Sequence, residues 1–190
     1  TAAITDAELG SSVGIEVDEA RDRLLVANSN AAVFQGQGQG QAKLGAYNLT
    51  TGERLAMVDL STAILDAPAD ATYFANDVAV ADDGTAYVTD TMRAVIYRVG
   101  PDYQVSVFRQ FPPAEGLALN GIVYHPSGYL LVAGGATLYK VPVDKPAGMT
   151  VVKLAQPVAG QDGMVWASNG NLAIVSNSES RVVALRSSDD

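Results

Sequence analysis

Three stretches of this 190-residue chain repeat one pattern of residue types. Asn76-Asp77 opens an alternating run, Val78-Ala79-Val80, which turns at Asp82-Asp83-Gly84 into a second apolar run, Thr85 to Val88. Asn120-Gly121-Ile122-Val123-Tyr124 passes through Pro126-Ser127-Gly128 into Tyr129 to Val132. Asp162-Gly163-Met164-Val165-Trp166 passes through Ser168-Asn169-Gly170 into Asn171 to Val175. In each copy the turn glycine falls eight residues after the polar opener. Two short alternating runs joined by a Gly, Asp or Asn turn read as a β-hairpin, because these residues tolerate the positive φ that tight hairpin turns need. A weaker first copy comes earlier: Val13 to Val17 alternates, Asp18 to Asp22 turns without glycine, and Arg23 to Asn28 answers. Val13 stands there in the opener's place.

Further apolar runs complete each unit. Leu44 to Leu49 and Arg54 to Leu60 follow the first hairpin, and Ala94 to Val99 and Val105 to Phe108 the second. Ala136 to Val143 and Val151 to Leu154 follow the third, and Arg181 to Leu185 the fourth. The units span about 13–60, 76–110, 120–156 and 162–187. Measured at Ile15, Val78, Ile122 and Met164, the intervals are 63, 44 and 42 residues. Four short strands every forty-odd residues is the period of a β-propeller blade. A β-sandwich would not hold a fixed offset between opener and turn glycine. The chain therefore reads as a single all-β domain over 1–190, a β-propeller or propeller segment with about four blades visible.

Two stretches fall outside this pattern. Residues 61–73 form a longer connection with room for one helical turn. Gln35 to Gln41 reads QGQGQGQ, with little to bury and high backbone entropy. It is expected to be a mobile surface loop whose deletion leaves thermal stability nearly unchanged.

Composition narrows the partners. A formal charge of −9 argues against nucleic acid and anionic membranes, which need basic patches. No apolar run reaches the length of a membrane span. The first ten residues lack signal-peptide features, and the missing initiator Met points to a mature product or an excised piece. The absence of Cys excludes disulfides and thiolate metal sites and leaves the compartment open, a secreted or periplasmic one being favoured. Only residues 1–8 are spare to close a ring. An open fan of four blades exposes apolar faces, so the chain is expected to be a segment of a six-bladed protein or to self-associate through those faces.

In a propeller the first strand of each blade lies innermost, so Asn76, Asn120 and Asp162 converge on the channel. Oxygen ligands from three neighbouring blades suit a hard cation such as calcium. The plainer reading is that these side chains cap strand ends through local hydrogen bonds to the backbone.

The three copies resemble the superfamily that joins senescence marker protein, gluconolactonase and luciferin-regenerating enzyme, all six-bladed propellers. Its "ND", "NG" and "DGM" phrases match Asn76-Asp77, Asn120-Gly121 and Asp162-Gly163-Met164. The resemblance covers roughly residues 13–187 and implies metal-dependent hydrolysis of a lactone or similar small ester. It makes Asn120 and Asp162 ligands of one divalent metal, calcium first and zinc second, with side-chain oxygens within roughly 5 Å of each other. Asn76 becomes a pocket residue and Asp162 a candidate general base. The family's third metal ligand is a Glu opening the first blade, a place held here by Val13. Glu115-Gly116 spells the same pair, but in a loop expected to face solvent. The implied ligand is a small lactone or sugar-like molecule. The rival reading is a non-catalytic propeller that binds a ligand or protein.

Other candidates are weaker. His125 is the sole histidine and sits at a turn entry; it reads as a surface residue rather than a base. Trp166 reads as core, with stacking on a sugar ring as the alternative. Asp90 reads as a structural hydrogen-bonding residue that could join the pocket. Asn48-Leu49-Thr50 fits a glycosylation sequon on a turn.

Overall fold

The structure, a computed structural model, describes residues 4–112 and 118–187. The Glu115-Gly116 pair lies outside the described residues. Blade 1 holds β1 (Ser11–Asp18), β2 (Arg23–Ser29), β3 (Gly40–Asn48) and β4 (Arg54–Asp59). Blade 2 holds β5 (Tyr73–Val80), β6 (Ala86–Asp90), β7 (Val95–Val99) and β8 (Val105–Gln110). Blade 3 holds β9 (Leu119–His125), β10 (Tyr129–Gly134), β11 (Thr137–Pro142) and β12 (Thr150–Val151), and blade 4 holds β13 (Gln161–Trp166), β14 (Leu172–Ser176) and β15 (Arg181–Leu185). Within each blade, consecutive strands pair antiparallel. The expected helical turn after blade 1 is a short 3-10 segment, Leu60–Ala63.

The expected turns form as the residue types dictate. Gly84, Gly128 and Gly170 all take positive φ, at 88°, 82° and 79°. Blade 1 makes the same reversal without glycine: Asp22 adopts the left-handed conformation at φ 48° after a 3-10 turn. Asp tolerates this region better than most L-residues because its short polar side chain bonds locally.

Alternation along the strands sends one row of side chains backward to the previous blade and the next row forward. Leu25, Leu44 and Ala46 of blade 1 pack on Val78, Val88, Tyr97 and Val99 of blade 2. Ala79, Tyr87 and Ile96 of blade 2 pack on Ile122, Leu130, Val132 and Val141 of blade 3. Val123, Leu131 and Leu138 of blade 3 meet Leu172, Ile174, Met164 and Trp166 of blade 4. The core is thus three seams between four blades, and the two outer faces have no blade beyond them. Register makes Val182 the equivalent of Leu44, Ile96 and Leu138. Those three are at most 2% exposed, whereas Val182 is 68% exposed.

Residues 4–10 do not pair with blade 4. They run over the backward face of blade 1. Gly10 N donates to Asn28 Oδ1 at 2.8 Å, Asn28 Nδ2 to the Glu8 carbonyl at 2.9 Å, and Tyr47 Oη to Asp6 at 3.0 Å. Arg54 reaches both Asp6 and Glu8. A cavity of about 350 Å³ lies under this arm, lined by Asp6, Glu8, Tyr47 and Arg54. The inner row Val13, Ile15 and Val17 stays exposed.

The Gln-Gly run is not a loose insertion. Its first residue closes a 3-10 segment, Ala31–Gln35, and its last two begin β3. Gly40 and Gln41 pair in parallel with Tyr73 and Phe74, and Tyr73 N donates to the Gln39 carbonyl at 2.8 Å. Gln39 Nε2 donates to the Ala69 carbonyl, while Gln41 Nε2 reaches Asn28 and Ser29. Gln39 thus supplies an amide to a backbone carbonyl of the crossing to blade 2, and Gln41 ties the start of β3 back to β2. The alternating glycines supply positive φ at Gly36, Gly38 and Gly40. Entropy argued for a mobile loop; hydrogen bonding to the crossover outweighs it.

Candidate functional site

Each innermost strand is broken by a β-bulge at the opener. Register shifts fall between Ser12 and Ile15 in β1, and between Ala75 and Val78 in β5. The same shift in β9 lies between Leu119 and Ile122, and in β13 between Gln161 and Met164. Val13-Gly14, Asn76-Asp77, Asn120-Gly121 and Asp162-Gly163 are therefore equivalent bulge pairs. A bulge re-aims side chains and increases local twist. Here it brings the second residue of the first three pairs, Gly14, Asp77 and Gly121, against the next blade.

That approach explains the glycines. A Cβ added to Gly121 would lie 2.3 Å from the Asp162 carbonyl oxygen, and one on Gly14 would lie 2.3 Å from Asp77 Oδ1. Blade 2 has Asp77 at this place instead, and its carboxylate fills the gap. Asp77 Oδ2 accepts from Ile122 N of blade 3 at 3.0 Å, and Oδ1 accepts from Val78 N at 3.0 Å. Thr89 and Thr91 complete the stitch, donating to the carbonyls of Asn120 at 2.6 Å and Leu119 at 2.7 Å.

The three openers stand at equivalent places on adjacent innermost strands, as the repeat requires, and each is held differently. Asn76 Nδ2 donates to Thr91 Oγ1 at 2.9 Å. Asp162 Oδ1 accepts from Gly163 N at 2.9 Å, and Oδ2 accepts from Asn177 Nδ2 at 3.0 Å. Asn120 Oδ1 is a buried acceptor without a hydrogen-bond partner. Local side-chain to backbone bonding thus accounts for one oxygen of Asp162, and for none of Asn120. Among the described residues no group of three or more His, Asp or Glu side chains gathers as a metal cluster.

Beyond the openers, β1, β5, β9 and β13 line a cavity of about 270 Å³. Its wall includes Glu16, Asp77, Tyr124, Met164 and Trp166. Burial, with the Asp77 and Asp18 charges, pushes the Glu16 carboxyl up to about 7. Asp77 is pushed up to about 6 by burial, against the opposing effect of its two backbone donors and with a further push from Asp162. Glu16 and Asp77 were not among the residues singled out from sequence. The signal was present: Ala79, Val123 and Val165 hold the places equivalent to Glu16, so the acid stands alone in an apolar column.

The remaining candidates take structural roles. His125 stacks on Tyr129 with ring centroids 4.6 Å apart, and its Nδ1 accepts from Ser127 N in the turn. Trp166 packs in the seam between blades 3 and 4, where its Nε1 donates to the Tyr124 carbonyl at 2.8 Å. Asp90 is fully buried and accepts from the amides of Phe74, Met92 and Arg93 and from Tyr97 Oη. Asn48 Oδ1 accepts from the amides of Thr50 and Thr51, shaping the β3–β4 turn.

No protein-family model and no curated protein matches this sequence. Solved structures do match it in shape. The Staphylococcus aureus virginiamycin B lyase structure in complex with quinupristin aligns over 100% of this chain and 60% of its own, at 12% identity and TM-score 0.66. The Malassezia sympodialis allergen Mala s 1 aligns over 98% of this chain and 65% of its own, at 19% identity and TM-score 0.74. Myxococcus xanthus glutaminyl cyclase aligns over 90% of this chain and 64% of its own, at 19% identity and TM-score 0.56. The chain spans less than two thirds of the length of each. These neighbours are β-propeller proteins, and at such identities the likeness speaks to architecture alone. The chain is a four-bladed stretch of β-propeller.

Proposed function

We propose that this chain carries part of a channel site for metal-dependent hydrolysis of a lactone or similar small, sugar-like cyclic ester. The observation that carries the reading is Asn120 Oδ1, a buried acceptor that no protein donor satisfies. An uncompensated buried carbonyl oxygen costs roughly 1–3 kcal/mol, and a cation would offset that cost. The donor set fits a hard ion such as calcium: an amide oxygen from Asn120 and a carboxylate from Asp162, on bulges of adjacent blades that Gly121 lets meet closely. Zinc is the second choice, since no His or Cys stands among these residues. When bound, the ion polarises the ester carbonyl and acidifies a bound water. Asp162, oriented by the Gly163 amide and Asn177, takes the proton from the attacking water. Asn76, anchored through its amide nitrogen to Thr91, serves in this reading as the pocket residue. Tyr124 and Trp166 give the channel an apolar wall for a ring.

Calorimetric titration of this chain with calcium and with zinc tests the reading. One-site binding is expected, weakened at least about tenfold by Asp162→Ala and by Asn120→Ala. Absence of heat with either metal would end it. Val13 favours the rival, a non-catalytic ligand- or protein-binding scaffold, because it removes a third oxygen from the equivalent bulge of blade 1. Under that reading the two alanine variants leave metal affinity unchanged.

A further inference from the structure

The seam between blades 1 and 2 contains a group that the other seams lack. Ala79 and Val123 project forward into the second and third seams, where each packs in the apolar core. Glu16 holds the equivalent place on β1, opposite Leu25 on β2, just as Ala79 lies opposite Tyr87 and Val123 opposite Leu131. Its carboxyl has no hydrogen-bond or ion-pair partner among the described residues.

The charged groups around Glu16 are all accounted for. Across the seam, β5 presents Asp77, whose carboxylate is fixed by the Ile122 and Val78 amides. On its own strand stands Asp18, already neutralised by Arg23 at 2.8 Å and Arg21 at 3.1 Å. The charge of Asp162 on β13 also acts on Asp77 and raises its carboxyl. Both arginines are spent on Asp18 and on the Asp82 and Gly84 carbonyls, and neither bonds Glu16. Ionising it sets a second negative charge beside Asp77 in a half-buried seam, where repulsion is poorly screened. Gly14 lies tight against Asp77 and the Asn76 carbonyl, so β1 can relieve the repulsion only by moving away from β5.

We propose that Glu16 is a proton-operated latch on the innermost strand of blade 1, closed when protonated and released when ionised. The consequence falls on the channel, because Glu16 and Asp77 both line its wall. Release widens that wall and makes it doubly anionic. The latch needs no metal at Asn120 and Asp162.

The sign is fixed by the direction of the shift. Burial raises the Glu16 carboxyl from its ordinary 4.5 to about 7. The folded state therefore holds the proton longer than the unfolded chain. The stabilisation is complete below the unfolded value and is lost as pH rises through about 7. Asp77 shifts the same way but only to about 6, and the lowered carboxyls Asp6, Glu8, Asp83 and Glu179 are ionised well below that. A window from pH 6.5 to 8 therefore centres on Glu16.

Urea unfolding of the whole chain across that window tests the latch, read beside amide hydrogen exchange corrected for its intrinsic pH dependence. The unfolding equilibrium constant of the native sequence should rise by up to about fourfold from pH 6.5 to 8. Protection should fall selectively at the β1 amides and at Val78 and Ile122. Glu16→Gln should flatten both responses, and His125, common to both proteins, cancels from the comparison. Glu16→Ala, which installs the residue blade 2 uses, serves if the glutamine variant does not fold. An unchanged pH slope in these variants, or loss of protection beyond β1, Val78 and Ile122, would overturn the proposal.

Discussion

At the scale of single residues, the seams between blades are fastened by buried polar side chains that each serve several backbone groups. Asp90 answers three amides and one hydroxyl, and burial pushes its carboxyl upward while those donors pull it down. The Tyr97 hydroxyl that it accepts from is held far above its ordinary value, first by burial and then by the Asp90 charge. Asp90→Ala leaves several buried donors unpaired and should cost about 3 kcal/mol or more, measured by denaturant unfolding. Tyr97→Phe removes one bond and should cost about 1 kcal/mol. Asp90 was legible as structural because it ends a strand where a turn leaves amides unpaired. Asp77 was not, because its partner, Ile122 N, is 45 residues away on another blade. Periodicity places a residue on a strand, but it does not say which neighbouring strand an acid will bridge.

At the scale of elements, the hairpins were readable because each needs only local chemistry: alternation, then a residue that accepts positive φ. β15 runs from Arg181 to Leu185, as the apolar run alone implies. The crossover from blade 1 to blade 2 was not readable, because its order comes from the parallel pairing of Gly40 and Gln41 with Tyr73 and Phe74. Gly38 and Gly40 share almost the same φ, 69° and 70°, yet only Gly40 is crowded. A Cβ there would lie 2.2 Å from the Tyr73 carbonyl oxygen, whereas one at Gly38 meets nothing. Gly38→Ala should therefore cost about 1 kcal/mol for the backbone conformation alone. Gly40→Ala should cost well beyond that, and deleting residues 36–39 should lower the melting temperature by several degrees. Thermal scans of the three variants beside the parent check the order.

At the scale of the whole molecule, the two outer faces are unlike. Blade 4 presents Val165, Val175 and Val182 bare, at 61%, 40% and 68% exposure. The chain alone should therefore associate, and light scattering should give a mass above one chain that Val182→Glu returns towards the monomer. A compact monomer for the native sequence would show that this face tolerates water. The other end is partly sealed by residues 4–10, held to Asn28, Tyr47 and Arg54. Repeat proteins fold by propagation from one unit to its neighbours, so a unit whose outer face is already covered is a ready place to start. The arm precedes blade 1 in the chain, so the backward face of this sheet can be partly covered as soon as both are made. Each later blade then finds a finished surface waiting for it. Within this chain synthesis and folding would run in the same direction, and blade 4 would bring the uncovered valines last.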